Sequence, residues 1–296
     1  MKVFVFYRSI TTFDYMKIIE CPRDAMQGME EFVPTPKKVE YINHLLKVSF
    51  DTVDFGSFVS TKAIPQMRDT AEVLAGLDFD QSDSKLLAIV ANARGAQEAV
   101  KFEQINYLGF PFSISETFQQ RNTKKSIVEA LNTLEEIQQL CVKHSMELVC
   151  YISMGFGNPY GDPFTAEVVS KFTEIIHTLD IRIISLADTI GLAEPQLISK
   201  LFKELIPAYP DVEFGAHFHS NPNTAIEKVS AAYDSGCRRF DGAIRGFGGC
   251  PMAKDELVGN IATEAMVSYF DGRSLDLGIN RDAFNAAISA STSIFG

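Results

Sequence analysis

Eight short runs of apolar and β-branched residues recur along the chain, near 17–21, 51–57, 86–91, 104–110, 147–153, 182–187, 213–218 and 239–244. Between most of them lie stretches with helical period, such as Ser126 to Lys143, where Ile127, Leu131, Leu134, Ile137 and Leu140 recur at three- and four-residue steps. Strands separated by helices pair in parallel, because a crossover of that length returns the chain to the same end of the sheet. Eight such units in 296 residues predict a single (β/α)8 TIM barrel over residues 16–296, with a C-terminal helical segment. A doubly wound sheet is the alternative. It is disfavoured because no G-x-G-x-x-G follows the first strand: Arg94-Gly95-Ala96 is isolated, and Gly155-Phe156-Gly157-Asn158-Pro159 runs toward Pro163. Residues 1–15 fall outside the repeat and are expected to form an N-terminal extension.

A net charge of −11 with no compensating basic stripe argues against a nucleic-acid partner, whose phosphates require a cationic face. Five cysteines, odd in number and without C-x-x-C spacing, suit a reducing compartment, so a cytoplasmic protein is expected. No apolar run approaches the roughly 20 residues that span a bilayer, and Val3–Tyr7 is too short for a signal-peptide core. No membrane partner is expected.

Barrel active sites lie at the C-terminal ends of the strands, so the polar residues there are considered together. They are Arg23 and Asp24, Asp54 and Ser57, Asn92, Ser115 and Glu116, Ser153 and Asn158, Asp188 and Thr189, His217 and His219, then Arg245 and Cys250, with Asn260 just beyond. His217 and His219, two apart on a strand, point to one side and can share a cation. A carboxylate, two imidazoles and an amide oxygen make a mixed N/O set suited to Mg2+ or Mn2+ with positions open for substrate. Cys250 follows Gly248-Gly249, where the backbone can bring a thiol close to a substrate. Cys21, Cys141, Cys150 and Cys237 sit in apolar segments and are expected in the core. His44, His144 and His177 lie on helical stretches and are expected in solvent. Asp188 suits either a substrate contact or a helix cap. Arg23 and Asp24 are expected to precede a mobile Met26-Gln27-Gly28 loop.

Cys21-Pro22-Arg23-Asp24-Ala25-Met26-Gln27 resembles the Arg-Asp-Gly-Leu-Gln signature of the 3-hydroxy-3-methylglutaryl-CoA lyases and related DRE-TIM lyases and synthases. Ser57-Phe58-Val59-Ser60-Thr61-Lys62 with Pro65-Gln66-Met67, Leu186-Ala187-Asp188-Thr189-Ile190-Gly191, His217-Phe218-His219 and Gly248-Gly249-Cys250-Pro251 resemble further loops of the lyases, across residues 16 to about 270. The Arg-Asp and His-X-His motifs mark the whole group, whereas Gly-Gly-Cys-Pro marks the lyase branch. The resemblance implies a divalent cation held by Asp24, His217, His219 and Asn260. It implies that Arg23 steadies an enolate oxygen, that Cys250 protonates the carbanion, and that Asp24 or an oxygen on the cation is the base. Gln27, Asp54, Ser57, Asn92, Ser153, Asp188 and Thr189 would line the substrate. That substrate would be an acyl-CoA or hydroxy acid, the parent reaction giving acetyl-CoA and acetoacetate; a homodimer is left open. A citramalate- or homocitrate-type synthase, an aldolase, or a binding barrel with a degraded site are the alternatives. Departures from the pattern are Ala25 for glycine, Asp54 for glutamate, Ser220 for aspartate, Asn158 for a second cysteine, and an interval from Cys250 to Asn260 that exceeds the pattern by one residue.

Overall fold

The computed structural model describes residues 15–80, 82–249 and 258–296. Eight parallel strands form it: β1 (Lys17–Glu20), β2 (Thr52–Ser57), β3 (Lys85–Ile89), β4 (Tyr107–Ser113), β5 (Glu147–Ser153), β6 (Ile183–Asp188), β7 (Glu213–Ser220) and β8 (Arg239–Gly242). Each pairs with the next, and β8 pairs back onto β1, so the sheet closes into a TIM barrel and the doubly wound alternative falls. Residues 1–14, most of the expected N-terminal extension, lie outside the described residues, as do Cys250 and Pro251.

Side chains alternate across each strand. On β3, Leu86 and Ala88 face the helices and join the large outer core, while Leu87 and Ile89 point inward with Tyr107, Val149, Tyr151 and Ile183. The helix Ile127–Lys143 shows how the outer layer is specified. Ser126 and Glu129 form a reciprocal capping box at its start, and Ala130, Leu134, Ile137 and Cys141 bury one stripe against the sheet. Truncating Leu134 to alanine there would cost about 2–5 kcal/mol. Inside the barrel, Arg239 is fully buried and bonds Glu213 at 3.2 Å, while Glu213 holds Lys17 at 2.5 Å. The same parity directs Gly215 and His217 of β7 and Asp241 of β8 inward.

One strand departs from expectation. The fourth, expected at 104–110, is Tyr107–Ser113 and contains Pro111. The β3 ladder ends at the Ile89–Gly109 pair, so Pro111 has a strand neighbour on the β5 side alone and its missing N–H costs no ladder bond. The expected mobile loop after Asp24 is also corrected. Pro22–Gln27 is a short helix with proline in its first turn and Gly28 closing it. Ala25 sits inside this helix, where no positive φ is required.

A ninth strand, β9 (Gly259–Asn260), runs antiparallel to β7 and pairs Asn260 with His219. The C-terminal helices follow, and Phe295 stacks on Phe247 at 4.7 Å between ring centroids while meeting Tyr41 edge-on at 6.0 Å. Among the described residues, no helix is long and apolar enough to cross a membrane.

Candidate active site

Asp24, from the helix after β1, meets both histidines of β7 at the C-terminal end of the barrel. Their ligand atoms lie within 4.8 Å of one another, and His219 Nε2 stands 3.7 Å from Asp24 Oδ2. Asn260 joins from β9, its Nδ2 donating to Asp24 Oδ2 at 2.7 Å and to the Phe247 carbonyl at 2.8 Å. Hydrogen bonding fixes both imidazoles. His219 Nδ1 donates to the Thr189 carbonyl at 2.9 Å, and His217 Nδ1 donates to Asp241 Oδ2 at 3.0 Å, so in each ring Nε2 keeps its lone pair. His219 Nε2 is buried and has no hydrogen-bond partner. Rings anchored through one nitrogen and free at the other are how proteins present histidine to a metal, so this donor set fits a divalent cation.

Arg23 is clamped beside the cluster. Its Nη2 donates to Asp54 Oδ2 at 2.6 Å and its Nε to the same carboxylate, while Nη1 reaches Asp24 Oδ1 at 3.0 Å and Gln27 Oε1 at 2.9 Å. Of the five guanidinium hydrogens, one on Nη2 is not used by these bonds. Burial alone would lower the Arg23 pKa, but Asp54 and Asp24 more than offset it and raise it. Burial works against the Asp24 carboxylate, yet Arg23 and then His219 and His217 hold it well below the usual range. Asp54 is pushed up to about 6 by burial, against the pull of Arg23. Burial would lower the His217 pKa, and the bond to Asp241 more than compensates.

The glycines of residues 246–249 are needed for close approach. Gly248 has φ +95°, and a Cβ there would fall 2.6 Å from Asn260 Nδ2 and 2.8 Å from the Asp24 carbonyl. A side chain at this position would therefore push apart two residues of the cluster.

The histidines, Asp24, Arg23 and Gln27 open onto a cavity of about 420 Å3, whose apolar lining is Val59, Ala63, Ile64, Ile89, Ala91, Pro111, Phe118 and Tyr151, the last packed edge-on against His217. Ser153 and Thr189 also line it. Another cavity, about 560 Å3, lies among Lys85, Tyr107, His144 and Glu147 at the N-terminal end of the strands, the end opposite to the one barrels use for catalysis.

Four residues expected against the substrate do not line the cavity. Asp54 lies beneath Arg23 as its counter-ion. Ser57 donates to the Ile89 carbonyl. Asn92 is exposed and caps the helix Ala93–Ala99 through Gly95 N. Asp188 is buried on Lys228 Nζ at 2.7 Å and accepts from Ala193 N in the loop before the helix Pro195–Ala208, whose N-cap is Glu194, so it neither lines the cavity nor caps that helix. Ser115 caps the helix Glu116–Thr123, and Arg245 reaches away to the Gly296 carbonyl. Ser220, where an aspartate was expected, bonds Thr224, and Asn158 holds a turn through Tyr160 N and Asp162 N. Cys21, Cys141, Cys150 and Cys237 are buried, and His144 is exposed, as expected. The sequence reading missed Asp241. Its signal was parity: a carboxylate within the apolar strand β8, facing the same interior as His217.

With this geometry in place, comparison with known proteins locates the chain. The HMGL-like family model matches residues 16–289. The chain belongs to the HMGL-like family. The hydroxymethylglutaryl-CoA lyase YngG of Bacillus subtilis is 33% identical over 266 residues, covering 90% of this chain and 88% of that protein. A cytoplasmic 3-hydroxy-3-methylglutaryl-CoA lyase of Rattus norvegicus is 30% identical, covering 90% of this chain and 77% of the relative. Among solved structures, an HMG-CoA lyase from Acinetobacter baumannii in complex with coenzyme A and 3-methylmalate superposes with a TM-score of 0.85 at 30% identity, covering 97% of this chain and 91% of that one. Its relatives make the chain an enzyme of the carbon–carbon lyase type.

Proposed function

We propose that the protein is a divalent-cation-dependent lyase that cleaves 3-hydroxy-3-methylglutaryl-CoA, or a related 3-hydroxyacyl-CoA, to acetyl-CoA and a keto acid such as acetoacetate. The observation that carries this reading is the buried, unsatisfied His219 Nε2 beside Asp24 and His217, within reach of a clamped arginine. A relative solved with coenzyme A and 3-methylmalate supports a thioester substrate with a short branched acid. In this reading Asp24, His217, His219 and the side-chain amide oxygen of Asn260 would hold Mg2+ or Mn2+. When bound, the cation would supply Lewis acidity to a tertiary hydroxyl and a neighbouring substrate oxygen.

The protein's own groups do the rest. Asp24, held far below the usual carboxylate range, stays ionised, which suits ligation better than proton abstraction. The tertiary hydroxyl would give its proton to solvent water at the Asp24 end of the cavity as the carbon–carbon bond breaks, and Arg23, fixed on three sides, would present its remaining Nη2 hydrogen to the thioester oxygen that becomes an enolate. The clamp means no reorganisation is needed at that moment. Cys250, assigned by its motif and outside the described residues, would protonate the enolate carbon. The apolar wall from Val59 to Tyr151 would exclude water from the carbanion.

The test is direct. Purified protein freed of metal is incubated with 3-hydroxy-3-methylglutaryl-CoA, with and without Mg2+ or Mn2+, and acetyl-CoA and acetoacetate are quantified. Cation-dependent formation of both in equal amounts is the expected result. Condensation of acetyl-CoA with a 2-oxo acid and no cleavage would instead identify a synthase.

A further inference from the structure

We propose a second cation site, selective for thiophilic ions, built from Cys21 Sγ, His217 Nδ1 and the Asp241 carboxylate. One ligand atom from each of the three residues lies within 4.8 Å of the other two, and Nδ1 is the imidazole nitrogen turned to Asp241, 3.0 Å from its Oδ2. Asp241 supplies the independent observation: it is 2% exposed, spends Oδ2 on His217, and leaves Oδ1 buried with no hydrogen-bond partner. Cys21, read from the sequence as a core hydrophobe, lies between β1 and the helix Pro22–Gln27, its sulfur making only a long contact of 3.7 Å to the Ile19 carbonyl. Such a contact is weak and easily given up.

Donor chemistry selects the ion. A thiolate, an imidazole and a carboxylate favour Zn2+, Cd2+ or Co2+ over Mg2+, which prefers oxygen ligands in an octahedron. The carboxylates of Asp24, Asp54 and Asp241 surround the thiol and outnumber the single guanidinium of Arg23 among its neighbours. That imbalance draws a divalent ion. On binding, the sulfur gives its proton to solvent, and the charge brought in offsets the surrounding carboxylates.

The two sites share one ring and therefore exclude each other. The first needs His217 Nε2 free and its proton on Nδ1, where Asp241 accepts it; the second needs Nδ1 free, which moves the proton to Nε2. A thiophilic ion held at Cys21 thus disables the ring that the first site uses. The consequence is inhibition by Zn2+ or Cd2+ that rises as Mg2+ falls. This competition rests on the lyase reading, whereas the existence of the site does not.

The experiment titrates metal-free protein with Co2+ and follows the thiolate-to-cobalt charge-transfer absorbance in the near ultraviolet. A band is expected in the wild type, in His219→Ala and in Cys250→Ser, and its loss is expected in Cys21→Ser and Cys21→Ala. In turnover assays, Cys21→Ser should keep Mg2+-supported activity and need at least tenfold more Zn2+ for half inhibition. No band in the wild type, a band that survives both Cys21 variants, or one that vanishes in Cys250→Ser overturns the site. Asp241→Asn, weakening the band with Cys21 intact, covers the case in which the Cys21 variants do not fold. An inactive protein that still shows the Cys21-dependent band refutes the lyase reading and leaves the second site standing.

Discussion

Asp241 Oδ2 accepts the Nδ1 proton of His217 at 3.0 Å, and this bond, made inside the barrel, settles which nitrogen the histidine offers at the barrel top. Removing such an outer partner typically weakens a metal site ten- to a hundredfold. Asp241→Ala should therefore raise the Mn2+ dissociation constant by about that factor in calorimetric titration. His217→Ala should abolish measurable binding, and exposed His144→Ala should leave it unchanged. Equal affinity in Asp241→Ala and wild type would show that the ring needs no support.

Arg23 is expected to act on the transition state. Arg23→Met should lower kcat by about a hundred- to a thousandfold or more, with a smaller change in KM, since a donor aimed at developing charge contributes little to ground-state binding. Steady-state kinetics separate the two. A rise confined to KM would reassign Arg23 to substrate binding.

Cys250 is tested by its acidity. A serine hydroxyl is a far weaker acid than a thiol of pKa about 8.5, so Cys250→Ser should bind Mn2+ normally while cleaving much more slowly. Substrate should protect the wild type from thiol alkylation. Undiminished cleavage by Cys250→Ser would remove the thiol from the mechanism.

Glu20 gives the fold a pH dependence of its own. Buried on β1 against Thr263 Oγ1 and Ile244 N, its carboxyl is pushed by burial up to about 8 from an ordinary 4.5. A folded pKa above the unfolded one means that the native state binds the proton more tightly. Its stabilising contribution is complete below about 4.5 and is lost as pH rises through about 8. Urea midpoints of the wild type should fall across this window relative to Glu20→Gln, by an amount equivalent to roughly 2–4 kcal/mol. Parallel curves for the two proteins would show that Glu20 titrates normally.

Much of this was legible in the residues. Seven strands lie within two residues of where apolar runs place them, because a parallel barrel strand is buried on both faces and so reads as a continuous run. β4 shifted because Pro111 looks like a strand breaker until its missing neighbour is known. Asp24, His217, His219 and Asn260 converge because Asp24 follows the end of β1, the two histidines lie within β7 toward its C-terminal end, and Asn260 pairs with that end. Asn92 and Asp188 share that location and yet serve a helix start and Lys228 respectively, since a polar residue at a strand end can satisfy a backbone N–H or a buried cation as readily as a substrate. Asp241 was missed because it lies within a strand, where partner and facing direction depend on barrel closure.

The bond between Asn260 and Asp24 joins residues 236 positions apart, across the seam where β8 meets β1. Contacts of that separation form late in folding, since the whole intervening chain must first be ordered. A barrel still open at the seam has no complete cation site. An ion that recognises the finished cluster therefore stabilises the closed state by mass action and lends nothing to partly assembled forms. Metal binding becomes a reporter of barrel closure, readable in a refolding experiment that never adds substrate.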